Sequence, residues 1–424
     1  LKILVLGGYG LIGLAITKAL IAAGHEVTGL GRSLAKGRAA VPAANWIARD
    51  LSRMTNTEDW ADVLAGMDVV VNAAGVLQDG MNDRVMAVQQ DAVQALAAAC
   101  KPAGVRQIVQ ISAPGVSESS DTVFYRSKAE GDAAVKASGV NWVIFRPGLV
   151  LSPQAYGGTS LLRQLAAVPL VQPVMMADAD IRIVHVQDVA AAVVRAVEEG
   201  LTQVDADLLS SEPTRLEDLI LAIRSWLGFA KPKAVIRAPL FLGAMTARLG
   251  DLAGWLGWRP ALRTTSLRVL GKGVTGNAAT WPVRGLAESL QALPSTVQER
   301  TYARMALLYP FLLLVLSGFW IVSGLIGWWQ QAAAMAVFGP EVPAPLAKGF
   351  VLGGAVADIA IGAALLVRPF TRPAALAAVL VSLAYLAGSA MLVPHLWADP
   401  LGPMVKVFPA IGLALTVWML TEAR

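Results

Sequence analysis

Cysteine is almost absent. The single Cys100 leaves no internal disulfide, so nothing staples the fold covalently and a reducing compartment suits it. Histidine is nearly as scarce: His25, His185 and His395 are scattered and offer no ligand spacing with one thiol, so no metal centre is expected. Charge is the third shortage. Only 15% of the 424 residues are Asp, Glu, Lys or Arg, against about a quarter in an ordinary soluble chain, while 55% are hydrophobic. The net charge of +5 comes from cations spread thinly, with no run that would track a phosphate backbone, which excludes nucleic acid as a partner.

The shortage of charge is concentrated at one end. No charged residue stands between Arg304 and Glu341, and the block 307–329 is long enough to cross a hydrocarbon core of about 30 Å at about 1.5 Å per residue. Further apolar blocks follow at 349–367, with Asp358 inside, at 374–393, and at 404–420, with Lys406 near one end where it can snorkel. Pro340, Pro343 and Pro345, then Pro369 and Pro373, then the stretch 394–403 separate them. Trp328, Trp329 and Trp397 fall at expected ends, where an indole faces lipid and water together. Four spans put Arg300, Arg304, Arg368, Arg372 and Arg424 on one side and Lys348 and Lys406 on the other, so the positive-inside bias places both termini in the cytoplasm. The N terminus reads as a strand running into a glycine motif, not as a signal peptide, which also keeps the first domain on that side of an inner, cytoplasmic membrane.

Ahead of the apolar third, short apolar runs alternate with helical stretches. Strands are expected at 3–6, 26–30, 45–48, 69–72, 107–111 and 142–145, the rhythm of an α/β doubly wound parallel sheet with helices on both faces. Residues 1–150 form this core, 151–300 a less regular remainder, and 301–424 an all-α four-helix transmembrane bundle. Within the remainder, Thr214 and Glu217 have capping-box spacing ahead of 219–227, and 239–258 reads as a greasy helix suited to packing under the domain or lying on a membrane surface.

The sharpest motif is Gly7-Gly8-Tyr9-Gly10-Leu11-Ile12-Gly13, between the first strand and first helix. Gly7 permits the tight turn, Gly10 removes a side chain that would hold off a pyrophosphate, and Gly13 lets the helix approach closely. The amides at the helix start then meet negative charge. The second strand ends in Gly31-Arg32-Ser33 with no acid to accept from an adenosine ribose, whereas Arg32, with Arg38, suits a 2'-phosphate, so NADP(H) is expected over NAD(H). Asp50 and Leu51 follow the third strand, and Asn72 with Ala73, Ala74 and Gly75 the fourth, where small residues leave room for adenine and ribose.

This set, together with Ser112, Lys128 in Phe124-Tyr125-Arg126-Ser127-Lys128, Arg146-Pro147-Gly148 and His185 to Ala190, resembles an atypical short-chain dehydrogenase/reductase of Rossmann type. It is most similar to the NmrA-like and complex-I-accessory-subunit-like NAD(P)-binding proteins. The resemblance implies that Lys128 holds cofactor, that Pro147, Gly148 and Leu149 border the nicotinamide, and that Asp188 caps a turn. It also implies a Tyr four residues before the lysine and a Ser on a strand end as catalytic partners. Ser112 fits, but Phe124 stands where the Tyr should, and a phenyl ring has no proton to give. The apolar third, with Trp397 to Pro403 and Lys406, is similar to the DoxX-like four-helix membrane family.

Three functions remain open at this point. One is hydride transfer between NADPH and a lipophilic substrate or quinone reaching the protein through membrane lipid. The second is a nucleotide-binding redox sensor or scaffold, and the third a transporter component in which Asp358 serves an ion path.

Overall fold

The computed structural model describes residues 1–276, 281–340 and 342–421; Glu341 and Arg424, used above to read charge, lie outside them. Seven parallel strands make the main sheet: β1 (Lys2–Leu6), β2 (Glu26–Gly31), β3 (Asn45–Ala48), β4 (Val69–Asn72), β5 (Gln107–Ile111), β6 (Asn141–Pro147) and β7 (Val204–Leu208). Their order is β3-β2-β1-β4-β5-β6-β7, so the chain reverses its direction of travel between β1 and β4. That switch opens a crevice at the carboxyl ends of two neighbouring strands, where Leu6 is in register with Asn72.

The interior strands are mostly apolar because both faces are covered. On one face the helices Leu11–Ala22 and Val186–Glu198 pack over Ile3, Val5, Val71 and Val109; on the other, Ala92–Cys100 and Trp60 pack over Leu4, Leu6, Val70 and Ile108. Cys100 is a core residue, its thiol pushed up to about 12 by burial. β7 was absent from the expected set: its sequence Val-Asp-Ala-Asp-Leu carries Asp205 and Asp207, which break the apolar run that marks the other strands.

A smaller layer follows, built on the helices Gly158–Ala166 and Leu216–Trp226 with short two-stranded pairs. Here the capping-box expectation fails. Thr214–Arg215 pairs antiparallel with Asp180–Ile181 instead, the helix starts at Leu216 without a side-chain cap, and Glu217 accepts from Arg237.

The chain divides into two compact units, 1–254 with 259–303, and 255–258 with 304–424. Among the described residues, three helices are long and apolar enough to cross a membrane: Val297–Trp329, which enters the second unit at Arg304, Ala344–Leu366 and Arg368–Leu392. The fourth expected span is only the 14-residue helix Val407–Leu420. At about 1.5 Å per residue it measures about 21 Å, short of a hydrocarbon core of about 30 Å, so the described residues hold three full-length spans plus a short apolar helix. Small residues set the packing of the first two: an added Cβ at Gly324 would lie 2.6 Å from the Ala355 carbonyl, and one at Gly362 2.9 Å from the Ile321 amide. Large side chains such as Phe311, Leu314 and Trp329 point outward, the reverse of a water-soluble bundle.

Candidate functional site

The glycine loop sits at the β1/β4 crevice. Gly7 has φ +70, and an added Cβ there would crowd Ala74 Cα and Ala73 O at 3.1 and 3.2 Å, so the loop after β1 rests directly on the loop after β4. Its amide and that of Gly8 both donate to Leu30 O, and Gly10 donates to Gly7 O at 2.8 Å, which closes the turn. Gly10 then starts the helix Leu11–Ala22 with no side-chain cap. The amides of Leu11, Ile12 and Gly13 are therefore left for another acceptor. An added Cβ at Gly10 meets only Gly7 O at 3.1 Å, whereas one at Gly13 would sit 2.2 Å from that same oxygen. Gly13 thus serves the packing of the turn against its own helix.

At the adenosine end, Tyr9 lies over Gly31, where a Cβ would come within 2.4 Å of its ring, and its hydroxyl accepts from Ser33 N at 3.1 Å. Arg32 stands at the end of β2, with its guanidinium already engaged: it donates to Asn82 O at 2.9 Å and Asp83 Oδ1 at 3.2 Å. Asp83 also accepts from Arg259 at 2.7 Å. Arg38 is exposed. Asp50 caps the turn Leu51–Arg53 by accepting from Ser52 N and Oγ, while Leu51 packs on the core below. Asn72 fixes the β4 loop, donating to Gln110 and accepting from Ala74 N at 3.1 Å.

The lysine end is a buried charge network. Lys128, on the helix Val123–Lys136, donates to Ile111 O at 3.1 Å, and a Cβ on Gly75 would be 3.8 Å from its Nζ. An ammonium has three hydrogens, so donors remain over the crevice for ribose hydroxyls. Burial pulls its pKa below the ordinary lysine range; Asp132 opposes the shift and Arg146 adds to it. The ring facing Lys128 is Phe124, whose centroid is 5.9 Å from Nζ. Tyr125 is buried beside it, its phenol pushed up by desolvation and by Asp121, which makes it a poorer proton donor. Ser112 lies at the end of β5 but donates to Asp132 Oδ2 at 2.7 Å, and Asp132 in turn accepts from Arg146 at 2.9 Å. The serine is committed to that ion pair.

Pro147 ends β6, and Gly148 is required by its neighbours: a Cβ would lie 2.4 Å from Arg182 O. Leu149 opens a short strand parallel to Ile183–His185. In the following segment the capping role falls to His185, whose Nδ1 accepts from Gln187 N, while Asp188 instead pairs with Arg284 through its amide and guanidinium. Desolvation and Arg284 hold His185 below its ordinary pKa, against Asp188.

Gly7 to Gly13, Ala73 to Gly75 and Lys128 therefore share one crevice, while Ser112 turns to an ion pair. Sequence reasoning missed Asp83, Asp132 and Arg259. Asp132 is legible in hindsight as the residue one helical turn after Lys128. The crevice fits a dinucleotide on its own geometry: an uncapped helix start, a turn whose glycines admit close approach, and a lysine with spare donors. Among the described residues, no cluster of three or more His, Cys, Asp or Glu could hold a metal ion.

Comparison with known proteins gives two family matches. Residues 7–200 match the NAD(P)H-binding family model and residues 317–415 the DoxX-like family. Over 131 residues the chain is 33% identical to ceramide reductase of Caulobacter vibrioides, covering 30% of this chain and 40% of that protein, so the match spans about two fifths of the relative's length. Among solved structures, gox2253 superposes with a TM-score of 0.54 at 19% identity, covering 72% of this chain and 99% of that one. An NADPH-dependent quinone oxidoreductase from Escherichia coli, QOR2, gives 0.52 at 18% identity over 68% and 98%. These two likenesses show the fold.

Proposed function

We propose that this chain, an N-terminal NAD(P)-binding Rossmann domain joined to a C-terminal DoxX-like membrane domain, is a membrane-tethered oxidoreductase that passes hydride between NADPH and a lipophilic or quinone-type acceptor. The observation that carries it is the crevice where the uncapped start of Leu11–Ala22, the β4 loop and Lys128 converge. Bound there, a nicotinamide dinucleotide supplies the hydride. The protein's part is to bind and orient. Leu11, Ile12 and Gly13 amides take the pyrophosphate, Lys128 the nicotinamide ribose, and Arg32 a 2'-phosphate, leaving Asp83 to Arg259.

Phe124 and the committed Ser112 remove the proton donor that carbonyl reduction uses, so the acceptor is one that takes its proton from water, as a quinone does. A lipid acceptor is in keeping with the relative named as a ceramide reductase. The same two features favour a second reading, a nucleotide sensor that turns nothing over. An acceptor panel followed at 340 nm separates them: purified protein in lipid nanodiscs should oxidise NADPH with a long-tailed quinone and leave simple ketones and aldehydes untouched. Binding of NADPH without turnover of any acceptor would leave the sensor.

A further inference from the structure

The helix Leu240–Trp255 is inside out for a helix on a soluble domain. Leu240, Phe241, Met245, Leu249, Leu252 and Trp255 are each between 55% and 66% exposed, and Phe241, Met245, Leu249 and Leu252 follow the i, i+4, i+8, i+11 spacing of one face. Gly243, Ala247, Gly250 and Gly254 form the opposite stripe and are buried. Space dictates that side: an added Cβ at Gly250 would lie 2.2 Å from Leu262 O, and one at Gly243 2.4 Å from Met175 Sδ. The small residues thus press the helix against the domain while its large apolar side chains face outward. Left to water, four such side chains each forgo more than half of the about 1.5–3 kcal/mol that full burial contributes.

The occupant of that face follows from where the helix ends. Trp255 and the next three residues belong to the membrane-spanning unit. Within that unit Leu256 O accepts from Arg368 N at 2.9 Å, Trp258 Nε1 donates to Leu366 O at 2.7 Å, and the Arg368 guanidinium lies over the Trp258 ring. Leu366 and Arg368 are the turn between the second and third spans, where lipid meets water. Leu252 is joined to Trp255, the first residue of that unit, by less than one helical turn, about 5 Å of helix. Arg248, exposed in the middle of the apolar stretch, has the length to reach headgroups.

We propose that Leu240–Trp255 lies in the lipid–water interface with its Phe241–Leu252 stripe among the acyl chains, and that it is the edge over which a membrane-dissolved substrate reaches the cofactor crevice. The second half rests on the oxidoreductase reading above. The inward side supplies the route: Asp251 accepts from Gln78 Nε2 at 2.6 Å, Gly254 O accepts from Met81 N, and Arg263 holds Asp79 O. The segment that continues from Ala73–Gly75 is thereby fastened to the last turns of this helix.

The docking is tested on the full chain carrying Cys100→Ser, reconstituted in vesicles mixing phosphatidylglycerol with phosphatidylcholine. Nitroxide labels on Phe241→Cys and Leu249→Cys should collide with oxygen in preference to a water-soluble nickel chelate, by at least about ten-fold relative to a label on Glu212→Cys in water. Labels at 241 and 249 that behave like the one at 212 overturn the proposal, as does spin–spin broadening showing that a second copy covers the face. For the route, Phe241→Glu with Leu249→Glu should keep NADPH affinity and lower turnover of a long-tailed quinone at least about ten-fold while sparing a tail-less one. Equal loss for both quinones refutes the route. No turnover of either by the unaltered protein, with labels still in lipid, refutes the oxidoreductase reading and leaves the docking standing.

Discussion

The two glycines of the turn do different work, and substitution should separate them. At Gly13 a single methyl would sit 2.2 Å from Gly7 O, so Gly13→Ala should cost about 1–3 kcal/mol of stability, read as a lowered melting temperature, and cofactor binding with it. Gly10→Val should lower melting less than Gly13→Ala and weaken NADPH and NADH alike, because a Cβ there meets Gly7 O at a tight 3.1 Å and not at 2.2 Å, while the branched side chain fills the space before the helix start. Equal melting losses for both variants would contradict this division. Arg32→Ala should reduce NADPH affinity about ten-fold and leave NADH unaffected, since a hydrogen bond to a charged partner is worth about 1.5–3 kcal/mol before the competing Asp83 is discounted. Unchanged selectivity in paired titrations would remove Arg32 from the 2'-phosphate. His185 supplies a pH signature. Its folded pKa lies below the ordinary value, so its contribution is present above about pH 6.5 and is lost as pH falls below it, where the unfolded chain takes up the proton first. The melting temperature of the unaltered protein should drop more steeply from pH 7.5 to 5.5 than that of His185→Gln; parallel curves would contradict it. The glycines and Ala73 to Gly75 were legible in the sequence because each is a chemical type at a fixed offset from a strand, and Lys128 because its segment resembles the short-chain dehydrogenase/reductase pattern. Asp83 was not, since its partners Arg32 and Arg259 are far from it in sequence and meet only once the loop after β4 is folded back.

At the level of elements, apolar runs announced six of the seven strands, the edge strand β3 among them, and missed β7. That strand lies at the sheet edge, where Asp205 can face Lys136 and Arg146 at the cost of the pattern by which a buried strand is recognised. Thr214 shows the converse: a local capping signal lost to pairing with Asp180–Ile181 that no local window contains. In the bundle, Asp358 takes hydrogens from Ser323 at 3.2 Å and Tyr385 at 2.7 Å, so one carboxylate links all three long helices. Interhelical hydrogen bonds in lipid average under about 1 kcal/mol, so Tyr385→Phe should lower stability in detergent by about that much. Asp358→Leu, which strands both hydroxyls, should cost more than Asp358→Asn, which keeps an acceptor. Identical melting of all three variants would show that the cluster is not a structural link.

For the whole molecule, the sequence made the division plain because charge disappears near Arg304, but hydropathy does not measure helix length. Residues 404–406 stay outside the last helix, and the apolar block expected as a fourth span shrinks to Val407–Leu420. The charge bias predicts both termini in the cytoplasm, which requires that short helix to cross as well. A reporter fused after the last residue should be active on the cytoplasmic side; activity only outside would mean three crossings. The central claim is tested most directly by single turnover in nanodiscs with NADPH deuterated at one or the other C4 position and a long-tailed quinone. Hydride transfer from an oriented cofactor predicts slowed oxidation with one of the two deuterated forms and normal oxidation with the other. NADPH that binds yet is not oxidised, or is oxidised at the same rate in both forms as the unlabelled cofactor, would contradict it.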